Sequence, residues 1–333
     1  MDPERLPPCF SQEPGLTLRF VFTAGTGMSG AQQAWIFFMT LDRIAPALFV
    51  LLWSTGWIVA KYASPHADPL TFLSLRFTLA AALFAAITFA SRAVWPSTRA
   101  GWAHAVFSGV FLHGIYLGGV WWAIAQGVPS SVSGLIAALQ PLLTALVAPV
   151  IVGERLTGPQ KLGVLLGFAG LSVAILPRLL ALETSMLQIA LMPLLVNVFA
   201  MASVTAGTIY QKRYLQEGDL RAIASLQYVG GFLVVMPLAL LIEPLRIDWN
   251  LEFALAMGWS VLGLSLISIM LLLYLIRRGQ VSRAASLTYL VPPAVAIESW
   301  FLFGEALTVP MIVGTVIVVI GVWLTNRKAR IVA

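Results

Sequence analysis

Ten apolar stretches, each about as long as a bilayer is thick, constrain this chain more than any other feature. A helix needs about 20 mainly apolar residues to cross the hydrocarbon core. Charged residues, glycines and prolines divide most of the sequence into ten segments of about that length. The predicted spans are 44–62, 70–90, 102–123, 130–151, 160–177, 187–211, 222–243, 252–276, 284–303 and 308–325. The chain is therefore predicted to be an all-α polytopic membrane protein.

Composition supports a membrane location. Hydrophobic residues make up 59% of the chain and charged residues 10%, whereas an average soluble domain has roughly 25% charged residues. The single cysteine, Cys9, excludes an intramolecular disulfide and a metal site built from cysteines. We expect neither a metal nor an organic cofactor.

Residues 1–43 match neither a span nor a secretory signal. Glycine and glutamine residues interrupt their apolar part, and acidic residues outnumber basic ones ahead of it, where a signal would be basic. We expect a disordered leader, or sequence upstream of the true start, for which Met39 is a candidate. At the other end, residues 326–333 form a basic tail.

Lysine and arginine residues are distributed unevenly between alternate loops. With a cytoplasmic N-terminus, the cytoplasmic side collects 14 of them and the outer side three, Lys61, Arg178 and Arg246. Such an excess follows the positive-inside rule, so both termini are predicted to be cytoplasmic. The net charge of +6 is spread over these short loops, so the expected partners are the lipid bilayer and a small-molecule substrate and not nucleic acid. A homodimer is left open.

The two halves of the sequence repeat at a fixed offset of 151 residues. Each half, 44–177 and 187–325, holds five predicted spans, and an odd number inverts the second copy. Inverted repeats around a midplane site are common among secondary transporters. The polar and small-residue matches are Gly56 with Gly207, Lys61 with Lys212, Ser74-Leu75 with Ser225-Leu226, Pro141 with Pro292, Glu154 with Glu305, Gly163 with Gly314 and Gly170 with Gly321.

Short motifs in a fixed order also resemble a known family. They are Leu52-Trp53-Ser54-Thr55-Gly56, Arg76, Leu139-Gln140-Pro141 with Gly153-Glu154-Arg155-Leu156, and Leu290-Val291-Pro292-Pro293 with Phe303-Gly304-Glu305. Over about residues 44–325 the chain resembles EamA-type members of the drug/metabolite transporter superfamily. The resemblance implies ten transmembrane helices in two inverted five-helix repeats, a central substrate cavity, a bacterial inner-membrane location and export of amino acids or other small metabolites.

The inverted repeat favours a carrier that works by alternating access over other classes of function. A lipid-like substrate flippase of the same architecture is the nearer alternative. A membrane enzyme would need a catalytic set, and the sequence has no H-E-x-x-H, no G-x-S-x-G and no intramembrane aspartate pair. A passive scaffold has no physical need for inverted symmetry.

Two charged residues, Glu298 and Arg76, fall inside predicted spans at a similar depth. A buried carboxylate is expensive in hydrocarbon, so Glu298 is predicted to bind a proton or a substrate amine, with an interhelix hydrogen bond as the structural alternative. Arg76 could pair with Glu298, bind the carboxylate of a zwitterion whose amine meets Glu298, or snorkel to headgroups. The sequence alone leaves these alternatives open.

Several uncharged polar residues are further candidates for the substrate or proton site. His113 lies near the middle of the third span with Tyr116 about one turn beyond, although a lone histidine is commonly a packing residue. Trp121 and Trp122 are assigned to an interfacial aromatic belt. The remaining candidates are Asn197, Trp57, Gln140, Gln227 and Tyr228.

Prolines occupy the matching fourth and ninth spans. A proline removes a backbone donor and clashes with the preceding turn, so these spans are predicted to bend or open as a cavity wall or hinge. The residues concerned are Pro141, Pro149, Pro292 and Pro293. Glu154 and Glu305, which follow these spans, are expected to cap or pair locally.

Overall fold

The structure is a computed structural model that describes residues 30–152, 157–180, 184–215, 218–271 and 290–325. Two compact units divide the chain, Met1–Arg43 and Ile44–Ala333. The regular structure of the described ranges is helical, with π-helical segments at Val110–Ile115 and Trp259–Ile267. The α-helices are α1 Gly30–Ala63, α2 Pro69–Ala90, α3 Arg99–Gly109, α4 Tyr116–Ala125, α5 Ser130–Ile136, α6 Leu139–Val152, α7 Gly158–Leu180, α8 Thr184–Tyr214, α9 Leu220–Ile242, α10 Leu251–Gly258, α11 Val291–Phe303 and α12 Val309–Thr325.

These helices confirm an all-α polytopic membrane protein. Seven helices in the described ranges are long and apolar enough to cross a membrane. Three shorter apolar helices, Ala47–Ala63, Val291–Phe303 and Val309–Thr325, fall on the first, ninth and tenth predicted spans. The third span comprises α3, a π-helical segment and α4, and the fourth comprises α5 and α6.

Helix α1 begins earlier than the sequence suggested. It starts at Gly30, ahead of the first predicted span, which begins at residue 44. The glycine cluster that discouraged a helix ends at Gly30, and the following residues up to Pro46 contain neither glycine nor proline. Such a stretch carries no strong helix-breaking residue. The earlier part of the leader lies outside the described residues.

Polar caps and left-handed glycines set several helix ends. Thr98 accepts a hydrogen bond from the Gly101 amide at the start of α3, and Asn250 accepts one from Phe253 at the start of α10. Side-chain acceptors of this kind satisfy amides that have no intrahelical partner. Gly304 ends α11 with φ of 63°, a conformation that glycine adopts without steric penalty.

The two halves meet most closely where α7 packs on α12. A Cβ at Gly163 would lie 2.6 Å from the Gly321 carbonyl oxygen, and one at Gly170 would lie 2.7 Å from that of Gly314. Because Gly163 corresponds to Gly314 and Gly170 to Gly321 in the repeat, each contact is the image of the other. Such reciprocity is the signature of a two-fold relation, so a pseudo-two-fold axis runs between α7 and α12.

Other equivalent helices also pair across this axis. Helix α2 packs against α9, where the equivalent residues Phe77 and Tyr228 place their rings 5.8 Å apart. Helix α5 of the fourth span packs against α11 of the ninth span, and these two spans are equivalent in the repeat. The two π-helical segments fall at corresponding places in the third and eighth spans. The structure therefore shows the inverted five-helix repeats that the sequence offset predicted.

The close approach of α7 and α12 gives a test of the fold. We expect Gly170→Ala to lower the thermal unfolding midpoint of the purified protein, because the new Cβ meets the backbone of α12 and overpacking typically costs about 1–3 kcal/mol. Gly258→Ala is the matched control, since nothing lies within 4 Å of its Cβ position. Equal melting of the two variants would contradict this packing.

Candidate substrate site and helix latch

Arg76 is a buried cation in the middle of the bundle. Its position on α2 leaves it 5% exposed, with its Nη2 3.4 Å from the Ser265 Oγ. Its Nε is buried and has no hydrogen-bond partner among the described residues. The guanidinium carbon lies 5.8 Å from the centre of the Trp121 ring, within the usual range of a cation–π contact.

Histidine and tyrosine side chains surround this arginine. His113 stacks on Tyr228 with ring centres 4.4 Å apart, and Tyr116 and Tyr228 lie near enough to Arg76 to interact with it electrostatically. The Nδ1 of His113 is buried without a partner in the described ranges. We call Arg76, His113, Tyr116, Tyr228 and Ser265 the Arg76 cluster.

The Arg76 cluster lies where the two π-helical segments meet α2 and α9. His113 belongs to the first segment, Val110–Ile115, and Ser265 to the second, Trp259–Ile267. Such segments are rare in proteins, and those that do occur are frequently found at functional sites. The sequence favoured Tyr228 only weakly, and nothing in its periodicity indicated the wider helical turns.

Trp121 does not belong to an interfacial belt. The structure buries it to 2% exposure and stacks it on Phe72 with ring centres 4.9 Å apart. The assignment to a belt was wrong because the side chain faces the packed interior and supports Arg76.

Glu298 lies on α11, and α1 supplies the partner for half of its carboxyl group. Its Oε1 accepts a hydrogen bond of 2.6 Å from the Ser54 Oγ. Its Oε2 is buried, and the described residues provide no partner for it. The interhelix hydrogen bond is thus present, but it uses only one of the two oxygens.

The structure does not bring Arg76 and Glu298 together as an ion pair. The salt bridges of the described ranges join Lys61 to Glu305, Arg221 to Asp219 and Arg246 to Asp68. Direct pairing of Arg76 and Glu298, one of the alternatives from the sequence, is therefore not observed. Neither Arg76 nor Glu298 has an oppositely charged partner among the described residues.

The remaining polar candidates lie on other helices. Asn197 is fully buried on α8 and donates a hydrogen bond of 2.6 Å to the Ser133 Oγ, while its Oδ1 has no described partner. The Trp57 Nε1 is also buried without a partner in the described ranges. The Gln140 carbonyl accepts a hydrogen bond of 2.8 Å from Thr144.

Three of the four prolines lie in the first turn of a helix, and the fourth lies within one. Pro141 lies in the first turn of α6, directly after the turn at residues 137–138 that separates it from α5. Pro292 and Pro293 occupy the first turn of α11, where a missing amide donor does no harm. Pro149 lies within α6, which continues through it.

A second polar site, the helix latch, lies at one end of the bundle. The Glu305 Oε1 accepts hydrogen bonds from the Lys61 Nζ at 2.6 Å and from the Ser130 amide and hydroxyl at 3.0 and 2.9 Å. Its Oε2 accepts from the Ser131 amide at 3.0 Å and from the Ser131 hydroxyl. The latch consists of these four residues and Ser299, whose hydroxyl lies 2.9 Å from that of Ser130.

The latch joins three helices that are distant in sequence. Lys61 is near the end of α1, Ser130 and Ser131 begin α5, and Glu305 follows α11. Glu305 was expected to cap or pair locally. It does both, but with residues that are distant in the sequence, because the carboxylate reaches the start of α5 and the end of α1. The sequence did carry a signal, since Lys61 and Glu305 both recur at the same offset as Lys212 and Glu154. Glu154 lies outside the described residues.

The latch carboxylate is held in its charged form. Burial raises the pKa of Glu305, but the hydrogen bonds from Lys61, Ser131 and Ser130 outweigh this effect and lower the pKa to about 2. Its side chain is 9% exposed. Hydrogen bonds to a charged acceptor are stronger than neutral ones, so the latch ties α1, α5 and α11 together at this end.

A second carboxylate joins two helices at the same end of the bundle. Glu243, at the end of α9, accepts hydrogen bonds from the Leu70 and Thr71 amides at the start of α2. Beside it, Ala67 and Ile247 form an antiparallel bridge between the two loops. Both acids thus satisfy helix N-termini that would otherwise lack partners.

A cavity of about 680 Å³ lies beside the latch. Its walls are mainly apolar, and they include Val132, Ala174 and Met311 together with the charged Lys61 and Glu305. Within the described ranges no group of three or more His, Cys, Asp or Glu residues is arranged to hold a metal ion.

Inverted repeats around buried polar groups define a class of membrane transporters. The family model of the EamA-like transporter family matches residues 44–176 and 191–327. The chain therefore belongs to the EamA-like transporter family, and the resemblance drawn from the sequence motifs is confirmed.

Similar proteins cover nearly the whole length. A probable amino-acid metabolite efflux pump of Salmonella typhimurium is 27% identical over 87% of this chain and 98% of the relative. One of the same description from Escherichia coli is 25% identical over 85% of this chain and 94% of its own length. A crystal structure that covers 85% of this chain and 96% of its own superposes with a TM-score of 0.60 at 19% identity, which supports the fold.

The latch gives a test of stability. We expect Glu305→Gln to lower the thermal unfolding midpoint, because the amide presents donors to amides and hydroxyls that need acceptors. Each hydrogen bond to a charged group contributes about 1.5–3 kcal/mol. Glu252→Gln is the matched control, since Glu252 is exposed in the first turn of α10. A midpoint unchanged by Glu305→Gln would contradict a stabilising latch.

The pH dependence of the same variants provides an independent test. A carboxylate whose pKa is lowered on folding stabilises the protein fully above its unfolded pKa and loses that effect as the pH falls through its folded pKa. The ordinary value is 4.5 and the folded value about 2. The difference in midpoint between the wild type and Glu305→Gln should therefore be constant above about pH 5 and should narrow between pH 4.5 and 2. A difference that instead narrows between about pH 6 and 8 would contradict this assignment.

Proposed function

We propose that this protein is a secondary transporter of the bacterial inner membrane that exports small metabolites, with amino acids or their derivatives as first candidates, by alternating access. The observation that carries the proposal is the reciprocal packing of α7 and α12, which relates the two halves as inverted copies. The printed descriptions of the relatives in Salmonella typhimurium and Escherichia coli support the substrate class.

Inverted halves supply the two states that alternating access needs. Each half can adopt the conformation of the other, so a closure at one end implies a related closure at the opposite end. In this structure the latch holds α1, α5 and α11 together at one end. Because the distribution of basic residues predicts that this end faces outward, release of substrate to the outside would require the latch to open.

Glu298 is proposed as the proton site of the carrier. Its Oε2 has no partner among the described residues, although its Oε1 is held by Ser54. An intramembrane acid that only joined two helices would be expected to use both oxygens, since each unsatisfied polar atom is costly in hydrocarbon. A carboxyl group with one unused oxygen can accept a proton or a substrate amine.

Efflux from proteoliposomes tests the function. Vesicles containing the purified full-length protein would be loaded with labelled amino acids, with and without an imposed pH gradient. We expect the wild type to release at least one amino acid and the gradient to accelerate that release. Glu298→Gln should abolish the acceleration and retain exchange of labelled for unlabelled substrate, because the amide cannot titrate.

Glu252→Gln is the matched control, since it removes an exposed acid outside the bundle interior. It should respond to the gradient like the wild type. If Glu298→Gln also responds like the wild type, the acid is structural and the carrier facilitative. If the wild type releases no amino acid or related metabolite, the proposed export function is wrong.

A flippase of lipid-like substrates is the second candidate. The observation that favours it is the mainly apolar lining of the cavity beside Lys61 and Glu305, which suits an amphiphile with a charged headgroup. Translocation of a fluorescent phospholipid by the reconstituted protein, together with no amino-acid efflux, would favour this reading over metabolite export.

A further inference from the structure

We propose that the Arg76 cluster is a carboxylate-binding site and that it selects substrates bearing a carboxylate. This inference rests on the proposed transport function and specifies which chemical group the protein recognises. It assigns Arg76 as the binding cation, with Ser265 as a neighbouring hydrogen-bonding group. The rings of Tyr116, Tyr228 and His113 form the walls.

Arg76 has no counterion among the described residues. Arg76 is 5% exposed. None of the salt bridges among the described residues includes it; they join Lys61 to Glu305, Arg221 to Asp219 and Arg246 to Asp68. A buried arginine without a counterion is unfavourable within a membrane-spanning helix. A substrate anion would neutralise this charge.

The guanidinium group of Arg76 also has hydrogen-bond donors that are not used within the described residues. Guanidinium presents five N–H donors in a planar fork, and the contact with Ser265 at 3.4 Å is long. The buried Nε has no described partner. A carboxylate matches such a fork in shape and binds it through two parallel hydrogen bonds. The Nδ1 of His113 is a second buried atom without a described partner in the same cluster.

Further support comes from the other half of the chain. The residue that corresponds to Arg76 is Gln227, and its Nε2 donates to the Ser108 Oγ at 3.0 Å and to the Gln211 Oε1 at 3.3 Å. The inverted fold is therefore compatible with a neutral, satisfied side chain at this position. Since the fold does not require a charge there, the charge of Arg76 points to a ligand.

Cation–π contact alone does not explain the arginine. Trp121 lies on one side of the guanidinium at 5.8 Å, and such a contact leaves the in-plane N–H donors unused. The aromatic support instead fixes the plane of the guanidinium. A fixed, desolvated fork loses little side-chain entropy when it binds a planar anion.

The test compares acids with their amides. Proteoliposomes would be loaded with a labelled mixture of neutral amino acids or with the matched mixture of α-amides, which retain the amine and side chain but lack the negative charge. We expect the wild type to release acids at least about 10-fold faster than amides, because a charge-assisted pair is worth one to two orders of magnitude in affinity.

Two variants isolate the role of Arg76. Arg76→Gln copies the residue found in the other repeat, so it should fold, and it should reduce the preference for acids to within about two-fold by slowing the acids alone. Arg76→Lys keeps the charge without the fork and should give an intermediate preference. Arg99→Gln is the matched control, because it makes the same substitution at an exposed arginine at the start of α3, and it should keep the wild-type preference.

A binding measurement separates this inference from the transport function. The thermal unfolding midpoint in detergent would be recorded with the acid mixture or the amide mixture. Stabilisation of the wild type by acids but not amides, absent in Arg76→Gln, supports the carboxylate site even if no flux is seen. Flux without any preference for acids, or a preference that survives Arg76→Gln, overturns the carboxylate site and leaves the transporter. Neither stabilisation nor flux overturns both.

Discussion

The packing of α7 against α12 fixes how the two halves of this protein relate. Gly163 meets Gly321 and Gly170 meets Gly314 so closely that no other residue type fits without movement of the backbone. In a membrane, where lipid tails are as apolar as leucine, close backbone approach of this kind is a main source of helix association. Because the two contacts are images of each other in the repeat, they place the pseudo-two-fold axis between α7 and α12.

Buried polar groups divide into two kinds around that axis. Those at the latch are satisfied: Glu305 receives hydrogen bonds from Lys61, Ser130 and Ser131, which join α1, α5 and the end of α11. Those in the interior are only partly satisfied, because Arg76, His113 and Glu298 each keep a buried atom without a partner among the described residues. Satisfied groups suit closure, and unsatisfied ones suit a ligand that comes and goes.

The sequence predicted the fold well because its signals are local and repeated. Span length, loop charge and the offset of 151 residues each depend on residues whose spacing is fixed by helix geometry. The site was harder, since depth along a helix does not specify direction around it. Arg76 and Glu298 were placed at similar depth, yet they form no ion pair, and Trp121 faces the interior and not lipid. Glu305 was underrated because its partners are more than 170 residues away in the chain.

Alternating access requires the latched end to open during transport. A reversible cross-link between α5 and α11 tests this requirement directly. The hydroxyls of Ser130 and Ser299 lie 2.9 Å apart, so Ser130→Cys with Ser299→Cys, in a chain whose only native cysteine is replaced by Cys9→Ala, should form a disulfide between α5 and α11. Efflux from proteoliposomes would be measured after oxidation and again after reduction. The account predicts that oxidation reduces efflux to the background of empty vesicles and that reduction restores it. Equal efflux in both states, with the disulfide shown to be complete, would contradict it.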